Sequence, residues 1–310
     1  MKIVFLDAKT VGEDIDLSQF STVGEFITYD YSTEEEAAER TKDADIIIVN
    51  KVDINEQTIG EAKNLKLVCQ AATGTDNLDK DYLAKRGIIW KNAVGYSTNA
   101  VAQHTIAMVL YLLEKLKHYD DYVKDGTYSN GEGFTYFAET FTEIAGKTWG
   151  IIGLGAIGRK VADIAKAFGA RVIYYSASGS PAQPGYEQVD LDTLLKESDF
   201  LTVHAPLNEY TRAFVNKDVL SKMKSNAIFI NVGRGPIVVE EDLAEALENG
   251  TIAAAGLDVL VDEPLSIDNP LMKIQDSRKL IITPHMAWAS LEARKNLMDI
   301  MFQHILDFMA

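Results

Sequence analysis

Short apolar runs alternate with helix-like stretches along the whole chain, and this alternation restricts the possible folds more than any other feature of the sequence. In the first third, we expect strands near 2–6, 46–49, 67–69 and 88–90, with a helix over 33–43. The runs are almost continuously apolar, which is typical of parallel strands that helices cover on both faces. The pattern therefore predicts an α/β fold that begins with a doubly wound parallel sheet.

A second alternating series begins at Thr148. Its strands are expected near 148–152, 171–175, 200–204, 227–231, 253–257 and 279–282. Between the two series, residues 99–117 predict one long helix that is apolar over most of its circumference and therefore buried between domains or subunits. A polar, aromatic arm follows at about 118–146, and residues 291–310 predict a last helix. Because 310 residues exceed one ordinary domain, we expect two domains with separate cores.

The net charge of the chain restricts its partners. With 30 Lys and Arg against 46 Asp and Glu, the formal charge is −16, which disfavours nucleic acid and anionic membrane surfaces. The most apolar stretch, 100–113, contains Gln103 and His104 and is too short to span a bilayer. We therefore expect a soluble, cytoplasmic protein. The single cysteine, Cys69, lies in a predicted strand, and no histidine pair has ligand spacing, so we expect no metal.

The segment GLGAIG at 153–158 follows the strand-like WGII and precedes the helix-like GRKVADIAKAFG. A G-x-G-x-x-G string alone is a weak signal, but this context is typical of dinucleotide-binding folds. Gly153 suits the tight turn, Gly155 lets the backbone approach a pyrophosphate, and Gly158 lets the helix pack on the strand. The backbone N–H groups and the positive end of the helix dipole would hold the phosphates. A tight strand-to-helix junction without a ligand is the alternative interpretation.

One expected element of the dinucleotide site is missing. An acidic residue about 20 residues after the glycines usually binds the ribose 2′-hydroxyl, and Ser176 stands near that position. There is no Asp or Glu from 171 to 186, and no Arg or Lys between 172 and 195 to pair with a 2′-phosphate. The sequence therefore predicts NAD or NADP as cofactor without deciding between them.

Polar residues follow three later predicted strands: Arg234 after the first, Asp258 and Glu263 after the second, and His285 after the third. Each has a structural alternative, since His285 beside Trp288 could be a packed, hydrogen-bonded side chain. Strand carboxyl ends are, however, where open α/β sheets bind ligands. Reduction of a 2-oxo acid needs a group that holds the carboxylate and one that gives a proton to the carbonyl oxygen. An arginine fork suits the first task, and a histidine beside a carboxylate suits the second.

Five segments, in this order and over essentially the whole chain, resemble the D-specific 2-hydroxyacid dehydrogenase family. They are GKTWGIIGLGAIGRKVA, HAPLNEYT, INVGRGPIV, AGLDVLVDEP and TPHMAW. The resemblance implies two doubly wound parallel-sheet domains, with a Rossmann nucleotide-binding domain inserted into a flavodoxin-like substrate domain. It implies that residues 1–98 and 286–310 form the substrate domain and that residues 99–285 form the dinucleotide-binding domain.

The resemblance also implies residue roles. Arg234 would bind the substrate carboxylate and carbonyl, His285 would be the general acid and base, and Glu263 would orient and charge His285. In the loop ATGTDNLD, the amides of Thr73 and Gly74 would donate to the substrate carboxylate. The residues implied in cofactor binding are Gly153, Gly155, Ala156, Ile157, Gly158, Ser176, His204, Pro206, Val232, Gly233 and Asp258. The 99–117 helix resembles the family's dimer interface, which implies a homodimer.

The expected function is reduction of a small 2-oxo acid to the D-2-hydroxy acid by NAD(P)H. The segments HAPLNEYT and NVGRG resemble the hydroxypyruvate, glyoxylate and glycerate branch of the family. Two alternatives stay open. One is a nucleotide-sensing, corepressor-like regulator, because such proteins keep the same Arg, Glu and His. The other is an alanine dehydrogenase-like enzyme, which shares the architecture but handles an amino group.

Overall fold

The structure is a computed structural model that describes residues 1–131 and 133–310. The chain divides into two compact units, each with its own parallel sheet. The first unit contains Met1–Ser97 and Ala289–Ala310, and the second contains Thr98–Trp288. The predicted α/β class with two doubly wound sheets is confirmed.

The first unit is built on a five-stranded sheet. Its strands are β1 (Lys2–Phe5), β2 (Glu25–Thr28), β3 (Ile46–Val49), β4 (Leu67–Gln70) and β5 (Ile89–Asn92). All pairs are parallel and the order is β2-β1-β3-β4-β5, the flavodoxin-like order. The helices of this unit are α1 (Glu34–Thr41), α2 (Glu56–Ile59), α3 (Lys80–Arg86) and α10 (Leu291–Met309).

The second unit is built on a seven-stranded parallel sheet. Its strands are β6 (Thr148–Ile152), β7 (Arg171–Tyr175), β8 (Glu187–Gln188), β9 (Phe200–Val203), β10 (Ile228–Asn231), β11 (Ala254–Leu257) and β12 (Leu280–Ile282). Its helices are α4 (Thr98–Glu114), α5 (Leu116–Lys124), α6 (Ala156–Ala167), α7 (Leu191–Glu197), α8 (Lys217–Ser221) and α9 (Glu240–Glu248). The order β12-β11-β10-β9-β6-β7-β8 is that of a Rossmann sheet, with its switch point between β6 and β9.

The sheet of the second unit is buried on both faces. Successive residues of one strand enter different cores: Ile151 packs with Trp149 and Tyr174, whereas Ile152 packs with Leu201. This explains why the strands read as continuous apolar runs. Helix α4 packs against α6 and against β10, β11 and β12, so its apolar side chains cover the chain's own sheet.

The predicted helix at 99–117 is wrong at its carboxyl end. Helix α4 ends at Glu114, and α5 begins at Leu116 after Lys115 adopts φ 52°. A left-handed residue breaks the i to i−4 hydrogen-bond ladder, and apolar periodicity does not show where that break falls.

Strands β2 and β8 were not predicted, because β2 has no fully buried residue and β8 has only two residues. Among the described helices, none combines the length and apolar composition that a membrane crossing requires.

Candidate active site

The glycine loop joins β6 to α6 in a turn that excludes larger side chains at two positions. Gly153 has φ 90°, and a Cβ there would lie 2.7 Å from the backbone nitrogen of Ala205. A Cβ on Gly158 would collide with the carbonyl oxygen of Gly153. Gly155 precedes the first residue of α6 and has open space around its Cα. Ala156, Ile157 and Gly158 form the first turn of the helix, where backbone N–H groups lack intrahelical partners.

A cavity of about 260 Å³ lies at the switch point of this sheet. The glycine loop after β6 forms one wall, and the segment after β9 forms another. The lining residues are Gly153, Leu154, Gly155, Tyr174, Ser176, Ala177, Ser178, Ser180, Pro181, Gln183, His204, Ala205, Pro206, Asn208 and Thr211. Of the predicted cofactor residues, the cavity therefore brings together five, Gly153, Gly155, Ser176, His204 and Pro206, but not Ala156, Ile157, Gly158, Val232, Gly233 or Asp258.

Hydroxyl groups line the cavity after β7. Ser176 Oγ accepts a hydrogen bond from the Ser180 amide at 3.0 Å, and the hydroxyls of Ser178 and Ser180 lie 2.9 Å apart. The Arg159 guanidinium contacts one of the lining residues, because its Nη1 donates to Gln183 Oε1 at 3.1 Å. Arg171 instead pairs with Glu187 and Glu197 and is not among the lining residues. Arg159, Ser178, Ser180 and Gln183 were not predicted, although Arg159 directly follows the glycine motif.

His204 is a neutral imidazole in the cavity wall. Burial lowers its pKa to about 3, because a charged ring would be desolvated there. Its Nε2 lies 3.1 Å from Thr202 Oγ1, which also accepts a hydrogen bond from Trp149 Nε1. Within residues 1–131 and 133–310, Nδ1 of His204 is buried and has no hydrogen-bond partner. An orphaned polar atom in a cavity wall fits a polar ligand such as a dinucleotide.

Arg234 lies in a turn after β10 that two glycines flank. The side chain of Asn231 accepts from the Gly233 amide at 3.0 Å and donates to the Arg234 carbonyl at 2.9 Å. A Cβ on Gly235 would collide with the backbone of Leu260, so the turn packs directly on the segment after β11. Arg234 Nη1 donates to the Gly233 carbonyl at 2.9 Å. These contacts fix the base of a guanidinium side chain at the carboxyl edge of the sheet.

Glu263 and His285 form a pair at the same edge. Glu263 Oε2 lies 2.6 Å from His285 Nδ1, and Glu263 Oε1 accepts from the Leu260 amide at 3.0 Å. The two side chains are 35% and 25% exposed, respectively. His285 has φ 51°, a conformation that non-glycine residues rarely adopt and that concentrates at functional sites. A carboxylate on Nδ1 orients the ring and leaves Nε2 for a ligand.

Asp258 holds the segment that carries His285. Its buried carboxylate accepts from Thr283 Oγ1 at 2.6 Å and from the amides of Met286 and Ala287, both at 2.9 Å. Its carbonyl accepts from the His285 amide at 2.8 Å. These contacts hold the segment that carries His285, and the cofactor contact that the resemblance implies for Asp258 stays a prediction.

The predicted carboxylate loop lies in the first unit, after β4. Thr73 Oγ1 donates to the Ala93 carbonyl at 2.7 Å, and Asn92 donates to the Thr73 carbonyl at 2.7 Å. Among the described residues, no acceptor contacts the amides of Thr73 or Gly74. These two donors remain available to an anionic ligand.

The second unit therefore combines a dinucleotide cavity with a guanidinium and an imidazole–carboxylate pair at the carboxyl edge of one sheet. No cluster of described His, Cys, Asp and Glu residues could hold a metal ion. The glycine loop and the unpaired Nδ1 of His204 fit a nicotinamide dinucleotide, which supplies or accepts a hydride when bound. The fold and the site thus define a nicotinamide-dependent oxidoreductase of the Rossmann class.

Comparison with known proteins narrows this class. Residues 106–287 match the model of the family described as D-isomer specific 2-hydroxyacid dehydrogenase, NAD binding domain. The chain is 37% identical to the hydroxypyruvate reductase of Blautia hydrogenotrophica, over 100% of this chain and 97% of that protein. It is also 37% identical to the glycerate dehydrogenase of Methylorubrum extorquens, over 100% and 96% of the two chains.

A solved structure shows the same fold. It is an acyclic imino acid reductase in complex with NADPH and D-Arg, with a TM-score of 0.88 and 31% identity over 100% of this chain and 97% of that one. The family match and the two relatives of 37% identity show that the chain belongs to the D-isomer specific 2-hydroxyacid dehydrogenase family. The chain is an oxidoreductase that acts on CH–OH donors and uses a nicotinamide cofactor.

Proposed function

We propose that the chain reduces small 2-oxo acids to D-2-hydroxy acids, with hydroxypyruvate and glyoxylate as favoured substrates. The Glu263–His285 pair carries this proposal, because it places an imidazole that a carboxylate orients at the carboxyl edge of a dinucleotide-binding sheet. The relatives named hydroxypyruvate reductase and glycerate dehydrogenase support the choice of substrate.

Each of the three site residues has one task in this reaction. His285 gives the proton on Nε2 to the carbonyl oxygen as the hydride reaches carbon, and Glu263 holds the ring in the orientation that this transfer needs. The Arg234 guanidinium binds the substrate carboxylate and polarises the carbonyl. The Thr73 and Gly74 amides give further donors to the carboxylate.

The second unit, Thr98–Trp288, holds the cofactor. Gly153, Gly155 and the first turn of α6 hold the pyrophosphate, and His204 and Pro206 line the same cavity. Val232 and Gly233 follow β10 and face the nicotinamide half. The Ser176 hydroxyl takes the place of an acidic residue, so both NAD and NADP are accepted.

We also propose a homodimer in the cytoplasm. Helix α4 buries its apolar side chains in its own unit, so the exposed apolar residues closest in sequence to the predicted interface lie after it. Leu116, Phe134, Phe137 and Phe141 are 53%, 91%, 88% and 51% exposed. Large apolar side chains that one segment exposes support a subunit interface there. Sedimentation equilibrium tests the dimer, and replacing Phe134 and Phe137 by Ser should give a monomer.

Absorbance at 340 nm with purified protein tests the function. The panel contains hydroxypyruvate, glyoxylate, pyruvate and 2-oxoglutarate, each with NADH or NADPH, and each with and without ammonium. We expect cofactor oxidation with hydroxypyruvate and glyoxylate that does not depend on ammonium. Turnover that requires ammonium would instead support an alanine dehydrogenase-like enzyme. Cofactor binding without turnover of any acid would support a nucleotide-sensing regulator.

A further inference from the structure

Glu240 is a buried carboxylate that does not belong to the site formed by Arg234, Glu263 and His285. It is the first residue of α9 and is 6% exposed. Its Oε1 accepts a hydrogen bond from the Val261 amide at 2.7 Å, and its Oε2 accepts from Asn269 Nδ2 at 2.6 Å. Buried carboxylates are costly unless they are well paired, so this one holds its two partners in place.

The partners of residue 240 require a side chain with two hydrogen-bond acceptors. The Val261 amide can only donate. Asn269 cannot turn its side-chain carbonyl towards Glu240 without losing another hydrogen bond, because its Oδ1 accepts from the Leu271 amide at 3.0 Å. A glutamine at 240 would present one oxygen and one NH₂ group to two donors. One buried donor would then stay unsatisfied.

The partners of Glu240 flank the segment that carries Glu263. Val261 precedes Glu263 by two residues, and Asn269 follows it by six. The neighbouring Leu260 amide donates to Glu263 Oε1 at 3.0 Å. On the other side, the turn that contains Arg234 leads directly into α9 and packs on Leu260 through Gly235. Glu240 therefore ties the Arg234 turn to both ends of the Glu263 segment.

We propose that Glu240 is a positioning residue of the active site, which sets the distance between the Glu263 carboxylate and the His285 ring. This inference rests on the proposed function of that pair. It does not place Glu240 in contact with substrate or cofactor.

The test is a double-mutant cycle that exchanges donor and acceptor. Glu240→Gln creates a donor–donor contact, and Asn269→Asp places two carboxylates together. In the double variant, the aspartate introduced at position 269 keeps one oxygen for the Leu271 amide and offers the other to the NH₂ group of the glutamine introduced at position 240. Glu241→Gln is the matched control, because Glu241 is the adjacent, exposed residue of α9.

The readouts are kcat and KM against pH, the melting temperature, and an NMR titration of the His285 ring without cofactor. We expect Glu240→Gln to lower kcat about tenfold, as small misplacements do in an oriented site. We also expect the pH profile of the reductive rate and the NMR titration of the His285 ring to differ from those of wild type. The double variant should return within about threefold of wild type, and Glu241→Gln should be unchanged.

Two results would overturn the inference. One is a folded Glu240→Gln protein with the wild-type pH profile and the wild-type His285 titration. The other is a loss of kcat in proportion to the loss of folded protein, without any change in the pH profile, which indicates a structural role alone.

If Glu240→Gln does not fold, the folded double variant is measured in its place. A pH profile like that of wild type supports the exchange of donor and acceptor, and a changed profile contradicts it. Failure of wild-type turnover with every acid would reject the proposed function, and the His285 titration would still decide the role of Glu240.

Discussion

Replacing Glu263 by Gln changes one atom of the Glu263–His285 pair and leaves its size unchanged. The carboxylate accepts two hydrogen bonds, from the Leu260 amide at 3.0 Å and from His285 Nδ1 at 2.6 Å. A glutamine can accept only one of them through its oxygen and must turn its NH₂ group towards the other donor. The variant also removes the negative charge beside the His285 ring.

The size of the effect follows from the exposure of the pair. A hydrogen bond to a charged group contributes about 1.5–3 kcal/mol. Because the side chains are 35% and 25% exposed, solvent screening moves the expected value to the lower end of that range. At about 1.4 kcal/mol per factor of ten, this corresponds to a loss of about tenfold in kcat/KM.

The direction of the effect is fixed by the reaction. Reduction needs an imidazole that can give a proton from Nε2 to the carbonyl oxygen. Loss of the hydrogen bond from Glu263 leaves the ring less well oriented, so kcat/KM for reduction should fall about tenfold. The assay is NADH oxidation at 340 nm with hydroxypyruvate from pH 5 to 10, with Glu241→Gln as control. Superimposable profiles of wild type and Glu263→Gln would refute the pair.

Four further results are expected. His285→Ala should lower kcat about 10²–10⁴-fold while cofactor binding by calorimetry persists; a folded variant with near-normal turnover would return His285 to a packing role. Arg234→Lys keeps the charge but loses the fork, so KM for the 2-oxo acid should rise and kcat should fall; an unchanged KM would place the carboxylate elsewhere. Ser176→Asp should raise KM for NADPH far more than for NADH, because it places a carboxylate beside the 2′-phosphate of NADPH. A wild-type preference above about a thousandfold for either cofactor, about 4 kcal/mol, would contradict the placement of Ser176 at the ribose. Cys69 is fully buried, and burial raises its pKa to about 12, so it should resist a thiol reagent at pH 8 until the protein unfolds; rapid labelling of native protein would contradict this.

Much of the fold could be predicted from the sequence, because buried parallel strands leave continuous apolar runs. Ile46–Val49 and Phe200–Val203 are fully buried strands that the runs identify. The edge strand Glu25–Thr28 lacks such a signal because it is half exposed. The end of α4 at Glu114 depends on the backbone conformation of one residue, Lys115, which hydrophobic periodicity does not encode.

The candidate site, like the fold, could be predicted from the sequence only in part. Arg234 and His285 follow strands, and position after a strand is visible in the sequence. The contacts of Asp258 and Glu240 depend on how separate loops fold back on one another, so the sequence gives their residue types but not their partners. Glu240 in particular reads as one more acidic residue in the run VVEEDL. Its burial alone distinguishes it from Glu241.

The configuration of the product tests the central claim most directly. Wild-type protein is incubated with NADH and hydroxypyruvate, and the glycerate is resolved by chiral chromatography. Arg234 and His285 lie at one sheet edge, where they would hold the substrate with one face of its carbonyl towards the hydride that a bound nicotinamide would supply, and family membership predicts D-glycerate alone. L-glycerate, a racemic product, or absence of any hydroxy acid from the tested 2-oxo acids would contradict the account.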